Sequence, residues 1–384
     1  MNSVINASLK NNLIKFRKRI HKYPEIAGNE KNTAKMVVAF AKKFKPDKII
    51  QKIGGYGIAV IFEGKNKGPV VLIRCELDAL PITETNKFNF RSTKKNVSHK
   101  CGHDGHMTIV SGLIPLLSKN KISKGKVILL YQPSEETGEG AKRILEDKKF
   151  QSIKPDFVFA LHNLPGFEKN NILIRKNVFA SASKGMIIKL KGKTSHAAEP
   201  EKGINPSLAV AEIIQSLSFL SNKLNKVKDF ILITPIHAKI GEPAFGTSAG
   251  YAEVMFTLRS FKNKDMNILT KEAVKTVDTI SKKYKLKKEI NFTEIFPVTV
   301  NDEKCTGLIK DSAKENKLKV RSLKKPFKWS EDFGHFTGQF RGAIFGLGAG
   351  INQPALHNPD YDFSDEIIET GINIFYTIIK KIIK

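Results

Sequence analysis

The chain has 384 residues, 41% of them hydrophobic and 27% charged, a balance that suits a soluble globular protein with room for two domains. No uninterrupted apolar run reaches the length of a transmembrane helix, and no repeat or low-complexity segment appears. The formal charge of +28 comes mostly from scattered lysines in short pairs such as Lys42-Lys43, Lys94-Lys95 and Lys380-Lys381, which reads as a solvated surface and not as a nucleic-acid interface.

In chain order, Ser8 to Lys22 reads as an amphipathic helix stopped by Pro24, and Thr33 to Phe44 as a second one ending near Pro46. Gly57 to Phe62 and Val70 to Arg74 read as strands, the latter buried on both faces because its apolar run is continuous. Asp104 to Leu117 is a helix, Lys126 to Tyr131 a strand, Gly140 to Phe150 a helix, and Asp156 to Leu161 a strand. This alternation predicts a mostly parallel α/β sheet covered by helices, with ligands at the carboxyl ends of its strands. Near Ser181 the pattern changes. A strand Met186 to Leu190, a helix Asn205 to Leu220, strands Phe230 to Ile240 and Tyr251 to Phe261, a helix Lys264 to Tyr284 and a strand Lys287 to Phe296 follow. That β-α-β-β-α-β order is the ferredoxin-like unit, inserted into the larger domain. After it come a strand from Gly342 to Leu347 and a closing helix from Ser364 to Ile383. The expected division is 1–181 and 295–384 for the larger domain and 182–294 for the insert.

Polar groups suited to metal chemistry collect at the predicted strand ends. They are the phrase Cys101-Gly-His103-Asp104-Gly-His106, the pair Glu135-Glu136 after Gln132-Pro-Ser, His162 after a strand, and His357 in a late loop. Zinc and similar cations bind thiolate, imidazole and carboxylate. Cys101 and His103 in an extended loop can turn to one side. Of two adjacent glutamates at a strand end, one can bind metal while the other serves as general base. A buried thiol or one histidine alone is ordinary; their joint placement is not. The three cysteines Cys75, Cys101 and Cys305 are widely spaced and suggest no disulfide framework. With no apolar core for a signal peptide in the first ten residues, the expected compartment is the cytoplasm.

These motifs resemble the dinuclear-metal aminoacylase and carboxypeptidase family, in its amidohydrolase branch of hippurate hydrolases, indole-acetyl-amino acid hydrolases and N-acetyl-diaminopimelate deacetylases. The resemblance runs from Arg19-Ile-His-Lys-Tyr-Pro-Glu25 through Leu77-Asp-Ala-Leu-Pro81, the Cys101–His106 phrase, Gln132–Glu136, Ala160–Asn163, Ser195–Pro200 and Ser330–Phe333 to His357–Phe363. It implies a phosphorylase/hydrolase-like catalytic domain with an inserted lid and dimerisation domain. It also implies hydrolysis of N-acyl amino acids by a metal-activated water, with dipeptidase or carboxypeptidase action as the neighbouring possibility. Implied ligands of two divalent ions (zinc, manganese, nickel or cobalt) are Cys101, His103, Glu136, His162 and His357. Glu135 is the implied base, Asp78 a carboxylate that orients a ligand, and His196 a stabiliser of the oxyanion, often acting across a homodimer. Arg259 is similar to an arginine that meets the substrate carboxylate, though a surface arginine at a strand end fits it equally. No nucleic-acid or membrane partner is implied.

The chain departs from the family pattern twice. Arg74-Cys-Glu-Leu-Asp-Ala-Leu-Pro81 carries Glu76 where the family has an aspartate, a longer side chain that could shift metal preference. Gly246-Thr-Ser-Ala-Gly250 replaces a segment that usually supplies a substrate-holding asparagine. Both bear on substrate and metal more than on the chemistry.

Overall fold

The apolar run at Val70–Arg74 lies inside a strand buried on both faces, in the middle of an eight-stranded sheet. The computed structural model describes residues 4–224 and 226–383. Its principal strands are β1 (Lys48–Ile53), β2 (Gly57–Glu63), β3 (Asn66–Glu76), β4 (Lys124–Gln132), β5 (Phe157–Pro165), β6 (Ile172–Ile174), β7 (Ala182–Lys191), β8 (Ile231–Ile240), β9 (Tyr251–Ser260), β10 (Lys287–Phe296), β11 (Val320–Ser322) and β12 (Arg341–Gly350). The main helices are α1 (Ala7–Lys22), α2 (Lys31–Lys42), α3 (His103–Lys119), α4 (Gly140–Glu146), α5 (Ser207–Ser218), α6 (Asn263–Lys283), α7 (Glu303–Glu315) and α8 (Ile368–Ile383). The chain divides into two compact units. The larger comprises Met1–Phe179, Thr299–Pro326 and Asp332–Lys384; the smaller comprises Ala180–Val298 and Phe327–Glu331.

In the larger unit the strand order is β1-β2-β4-β3-β5-β12-β6-β11. β4, β3, β5 and β12 run parallel to their neighbours in the centre, as do β6 and β11. The antiparallel pairings are β1 with β2, β2 with β4, and β6 with β12. The sheet is therefore mostly parallel, as the alternating pattern predicts. Strand side chains alternate between faces. Val71, Ile73, Val127, Leu129, Tyr131, Phe159, Leu161 and Phe345 share one core with Leu13 and Ile20 of α1, Val37 of α2, Val110 and Leu113 of α3, Ile309 of α7 and Ile372 and Phe375 of α8. The intervening positions Arg74, Glu76, Gln132 and His162 lie outside that core, and Glu76 and Gln132 are direct partners across β3 and β4. Polar chemistry thus enters the second face at the carboxyl ends of the central strands.

The smaller unit has the antiparallel order β8-β9-β7-β10. Met186, Ile188, Leu190, Val254, Phe256 and Leu258 are buried on the face that α5 and α6 cover. This is the ferredoxin-like unit expected from the element order.

Two expected helices are shorter than the sequence pattern suggests. The stretch from Gly140 to Phe150 is broken at Asp147, whose backbone is extended and whose carboxylate accepts from Lys149 N and Gly54 N at 2.8 Å each. An aspartate in that role starts a new helix, Lys148–Gln151, better than it continues one. The stretch from Asn205 to Leu220 begins only at Ser207, with Asn205 Oδ1 accepting from Ser207 N, and it stops at Ser218 before a separate turn Leu220–Lys223.

Candidate metal centre

Cys101 and His103 meet the cluster through a turn and not through an extended loop. Gly102 between them adopts φ +92°, and a Cβ there would lie 2.7 Å from Asn163 Oδ1. Glycine alone accommodates both the left-handed backbone and the close approach. His103 then opens α3, and the next glycine of the phrase, Gly105, faces Phe363, whose ring a Cβ would meet at 2.2 Å. The two glycines let α3 seat against β5, which carries His162 and Asn163, and against Phe363 in the loop after His357.

Six side chains converge. Cys101 Sγ lies 3.5 Å from His162 Nε2. His103 Nε2 lies 3.8 Å from Glu136 Oε1 and 3.9 Å from Glu135 Oε2, and His357 Nε2 lies 3.8 Å from Glu136 Oε1. The trios Cys101/His103/His162, Cys101/Glu136/His357 and His103/Glu135/Glu136 each keep their donor atoms within 4.8 Å of one another. Cys101, His103, Glu135 and His162 are buried, whereas the His357 side chain is 52% exposed and marks the open side. His357 itself has φ +68°, held by its backbone N–H donating to Lys100 O at 2.8 Å.

The arrangement fits cation binding. His103 Nδ1 donates to the carbonyl oxygen of Asp78 and His162 Nδ1 to that of Asn163, both at 2.9 Å, which turns each Nε2 toward the cluster. His103 Nε2 is buried without a hydrogen-bond partner, as expected of a nitrogen that serves a metal. Burial opposes a charge on His103, but the hydrogen bond to Asp78 and the carboxylates of Glu76, Asp78 and Glu136 outweigh it and push its pKa up to about 10. The field that would hold a proton there would equally attract a divalent cation. His162, by contrast, is held down to about 3 by burial and by neighbouring His106, so it stays a neutral donor. One sulfur with several imidazole nitrogens and carboxylate oxygens suits zinc and its first-row neighbours.

Asp78 stands behind the candidate donors. Its Oδ2 accepts from Glu136 N at 3.0 Å, and its Oδ1 lies 3.5 Å from His103 Nδ1. Glu135 Oε1 accepts from Asp332 N at 3.3 Å. Asp332 is in turn fixed by Arg74 Nη2 at 2.5 Å and Gln132 Nε2 at 2.6 Å. Glu76 pairs with Arg74 and with His106 Nδ1 (2.6 Å), and His106 Nε2 lies 2.5 Å from Asn163 Oδ1. Burial opposes ionisation of Glu76, yet Arg74 and His106 hold its carboxyl well below the usual range. Glu76 departs from the family pattern, and His106 and Asp332, though each lies inside a motif, gain their roles only from these long-range contacts. The remaining two candidates belong to the smaller unit. His196 is exposed, in a two-residue strand paired with Thr247–Ser248. Arg259 is half-buried and donates to Lys328 O (3.0 Å) and Ser330 Oγ (3.1 Å), so it is more than a free surface arginine.

The family model of peptidase family M20/M25/M40 matches residues 72–381. The chain belongs to that family. It is an amide-bond hydrolase. It is 29% identical over 388 residues to N-acetyl-L-cysteine deacetylase of Bacillus subtilis, covering 100% of this chain and 91% of the relative. It is 27% identical over 372 residues to hippurate hydrolase of Campylobacter jejuni, covering 96% of each. Among solved structures, a protein of methicillin-resistant Staphylococcus aureus superposes with TM-score 0.86 at 23% identity, over 98% of this chain and 97% of that one. A Bacillus subtilis dinuclear metal binding peptidase from the M20 family superposes with TM-score 0.82 at 21% identity, over 99% of each chain. These likenesses carry the mostly parallel fold; the donor cluster belongs to this chain's own residues.

Proposed function

We propose that this chain is a metal-dependent amidohydrolase that splits N-acyl amino acids into a carboxylic acid and a free amino acid. The observation that carries the reading is the convergence of Cys101, His103, Glu136, His162 and His357 with Glu135 beside them. The deacetylase and hippurate hydrolase activities named for its relatives support the substrate class. The five side chains would hold two divalent ions, with zinc, manganese, nickel and cobalt all suited to the donors. Such a pair would polarise the amide carbonyl and make a water more acidic. Glu135 takes the proton from the attacking water and passes it to the departing amine nitrogen. Asp78 steadies His103 and the backbone of Glu136. His196 stabilises the oxyanion and Arg259 receives the substrate carboxylate, for which bidentate geometry suits a guanidinium.

We propose residues 182–294 as the lid and dimerisation domain. In the smaller unit β8 is an edge strand, and Ile236 on it is 61% exposed, with Leu208 and Phe219 of the neighbouring helical region at 69% and 53%. An exposed apolar edge of this kind supports pairing with a second copy. Three buried cysteines, none of them in a disulfide, support a cytoplasmic location. Among the described residues, no helix is long and apolar enough to cross a membrane.

The deciding experiment offers N-acetyl and N-benzoyl amino acids beside dipeptides, with each metal supplied in turn. Turnover of acylated amino acids is expected. Cleavage of peptides alone would replace this reading with a dipeptidase or carboxypeptidase.

A further inference from the structure

The segment that carries Glu135 and Glu136 has an unusual backbone. Ser134, just before them, adopts φ +54°, a left-handed conformation uncommon for a residue with a side chain and one that persists only where its surroundings enforce it. In a regular strand adjacent side chains point to opposite faces. Here Glu135 Oε2 and Glu136 Oε1 both come within 3.9 Å of His103 Nε2.

Glu30 supplies the enforcement. It lies at the start of α2, far from Ser134 in sequence, and is fully buried. Its Oε1 accepts from Ser134 N at 2.8 Å, from Ser134 Oγ at 3.2 Å and from Gly28 N at 2.9 Å. On the other side of Glu135, Asp78 Oδ2 accepts from Glu136 N at 3.0 Å. Two buried carboxyl groups therefore grip the backbone before and after the proposed base. None of Glu30's hydrogen bonds goes to a candidate metal donor; its hydrogen-bonded link toward the two glutamates runs through Ser134.

We propose that Glu30 is a positioning residue for hydrolysis, holding Ser134 in the left-handed conformation that aims Glu135 and Glu136 together at the metal-ligand cluster. The proposal rests on the roles assigned to those two glutamates under the amidohydrolase reading.

The test uses the full chain, with turnover of an N-acyl amino acid and calorimetric titration of the metal-free protein with manganese chloride as separate readouts. Glu30→Ala should lower kcat about 100-fold with KM little changed, the size of effect that a misplaced catalytic group produces. It should weaken manganese binding about tenfold, as loss of a group supporting a ligand does. Adding Ser134→Gly should restore at least about tenfold in kcat and most of the affinity, because glycine adopts positive φ without a brace. A residue that merely fills the core would not be rescued by a glycine elsewhere.

Native kcat and affinity in Glu30→Ala, or a folded Glu30→Ala whose losses the glycine leaves untouched, would overturn the proposal. Should Glu30→Ala fail to fold, Glu30→Gln keeps an acceptor oxygen and is expected within about tenfold of the native kcat, one oxygen being enough for the grip. Failure of both variants to fold would make Glu30 a folding residue and overturn the proposal as well. The manganese titration reads the aim of Glu136 without any turnover, so a wrong assignment of the base and a wrong role for Glu30 give different results.

Discussion

Glu135 and Glu136 are neighbours in sequence and differ in their surroundings. Glu136 sits between His103 and His357, with its backbone on Asp78, whereas Glu135 takes a backbone N–H from Asp332. That division predicts separate consequences. Glu135→Gln keeps size and hydrogen-bonding capacity but removes the basic oxygen, so turnover should fall by about 100-fold or more. Metal content measured on the same purified protein should stay near the native stoichiometry. Joint loss of metal and turnover would make Glu135 a ligand. The same logic explains Glu76. Its carboxylate is engaged by Arg74 and His106, so it is held as a buttress of the cluster and not as one of its donors.

At the scale of elements, α1 is tied to α3 and to the loop after His357 by charge. Arg17, fully buried, contacts Asp104 at 3.1 Å, Asp362 at 2.8 Å and Asp365 at 2.6 Å. His21 bridges Asp104 and Glu84 at 2.9 Å each, and Lys100 joins Glu84 at 2.6 Å and Tyr361 O at 2.7 Å. The Arg19–Glu25 motif thus finds its use away from the chemistry. His21 braces the segment that leads into His103, and Glu25 caps α2 by accepting from Asn32 N and Thr33 N at 2.8 Å.

Burial opposes a charge on His21, but hydrogen bonds to Asp104 and Glu84 outweigh it and push its pKa up to about 9. In the unfolded chain a histidine titrates near 6.5. The folded form therefore holds the proton more tightly, and the stabilisation is fully present below about pH 6.5 and fades as pH rises through about 9. Glu84, held down to about 2 although burial opposes this, keeps its side of the bridge through that window. Between pH 6.5 and 9.5 the native protein should lose more in Tm than His21→Gln does, by scanning calorimetry. Parallel curves would remove His21 from the charged bridge.

At the scale of the whole molecule, the proposed homodimer would pair through the exposed edge of β8. Ile236→Glu places a charge on that edge and should convert a homodimer to monomers, seen by light scattering. Turnover should drop with it, since His196 is proposed to act across the pair. A fully active monomer would remove the cross-subunit role and leave the metal chemistry standing. The formal charge of +28 comes mostly from lysines, whereas at the candidate site the buried Arg74 pairs with Glu76 and Asp332.

Much of this was legible in the residues. The period of apolar positions determines the alternation of helix and strand, hence a mostly parallel sheet and a ferredoxin-like insert. Donor types at strand ends mark that region as a candidate cation site, and the structure brings those donors together. Local pattern fails where a side chain answers to a distant partner. Asp147 breaks a helix because Gly54 supplies a donor, and the glycine-mediated turn between Cys101 and His103 is set by Asn163 pressing on Gly102. Glu30 shows the limit most clearly. Nothing near it in sequence relates it to Ser134, since hydrogen bonds between remote segments depend on how β-strands and helices pack. Residue types and spacing by themselves determined the class of fold and the class of chemistry. Only the tertiary structure decided how each donor is aimed, because aim comes from buried polar contacts that join segments far apart along the chain.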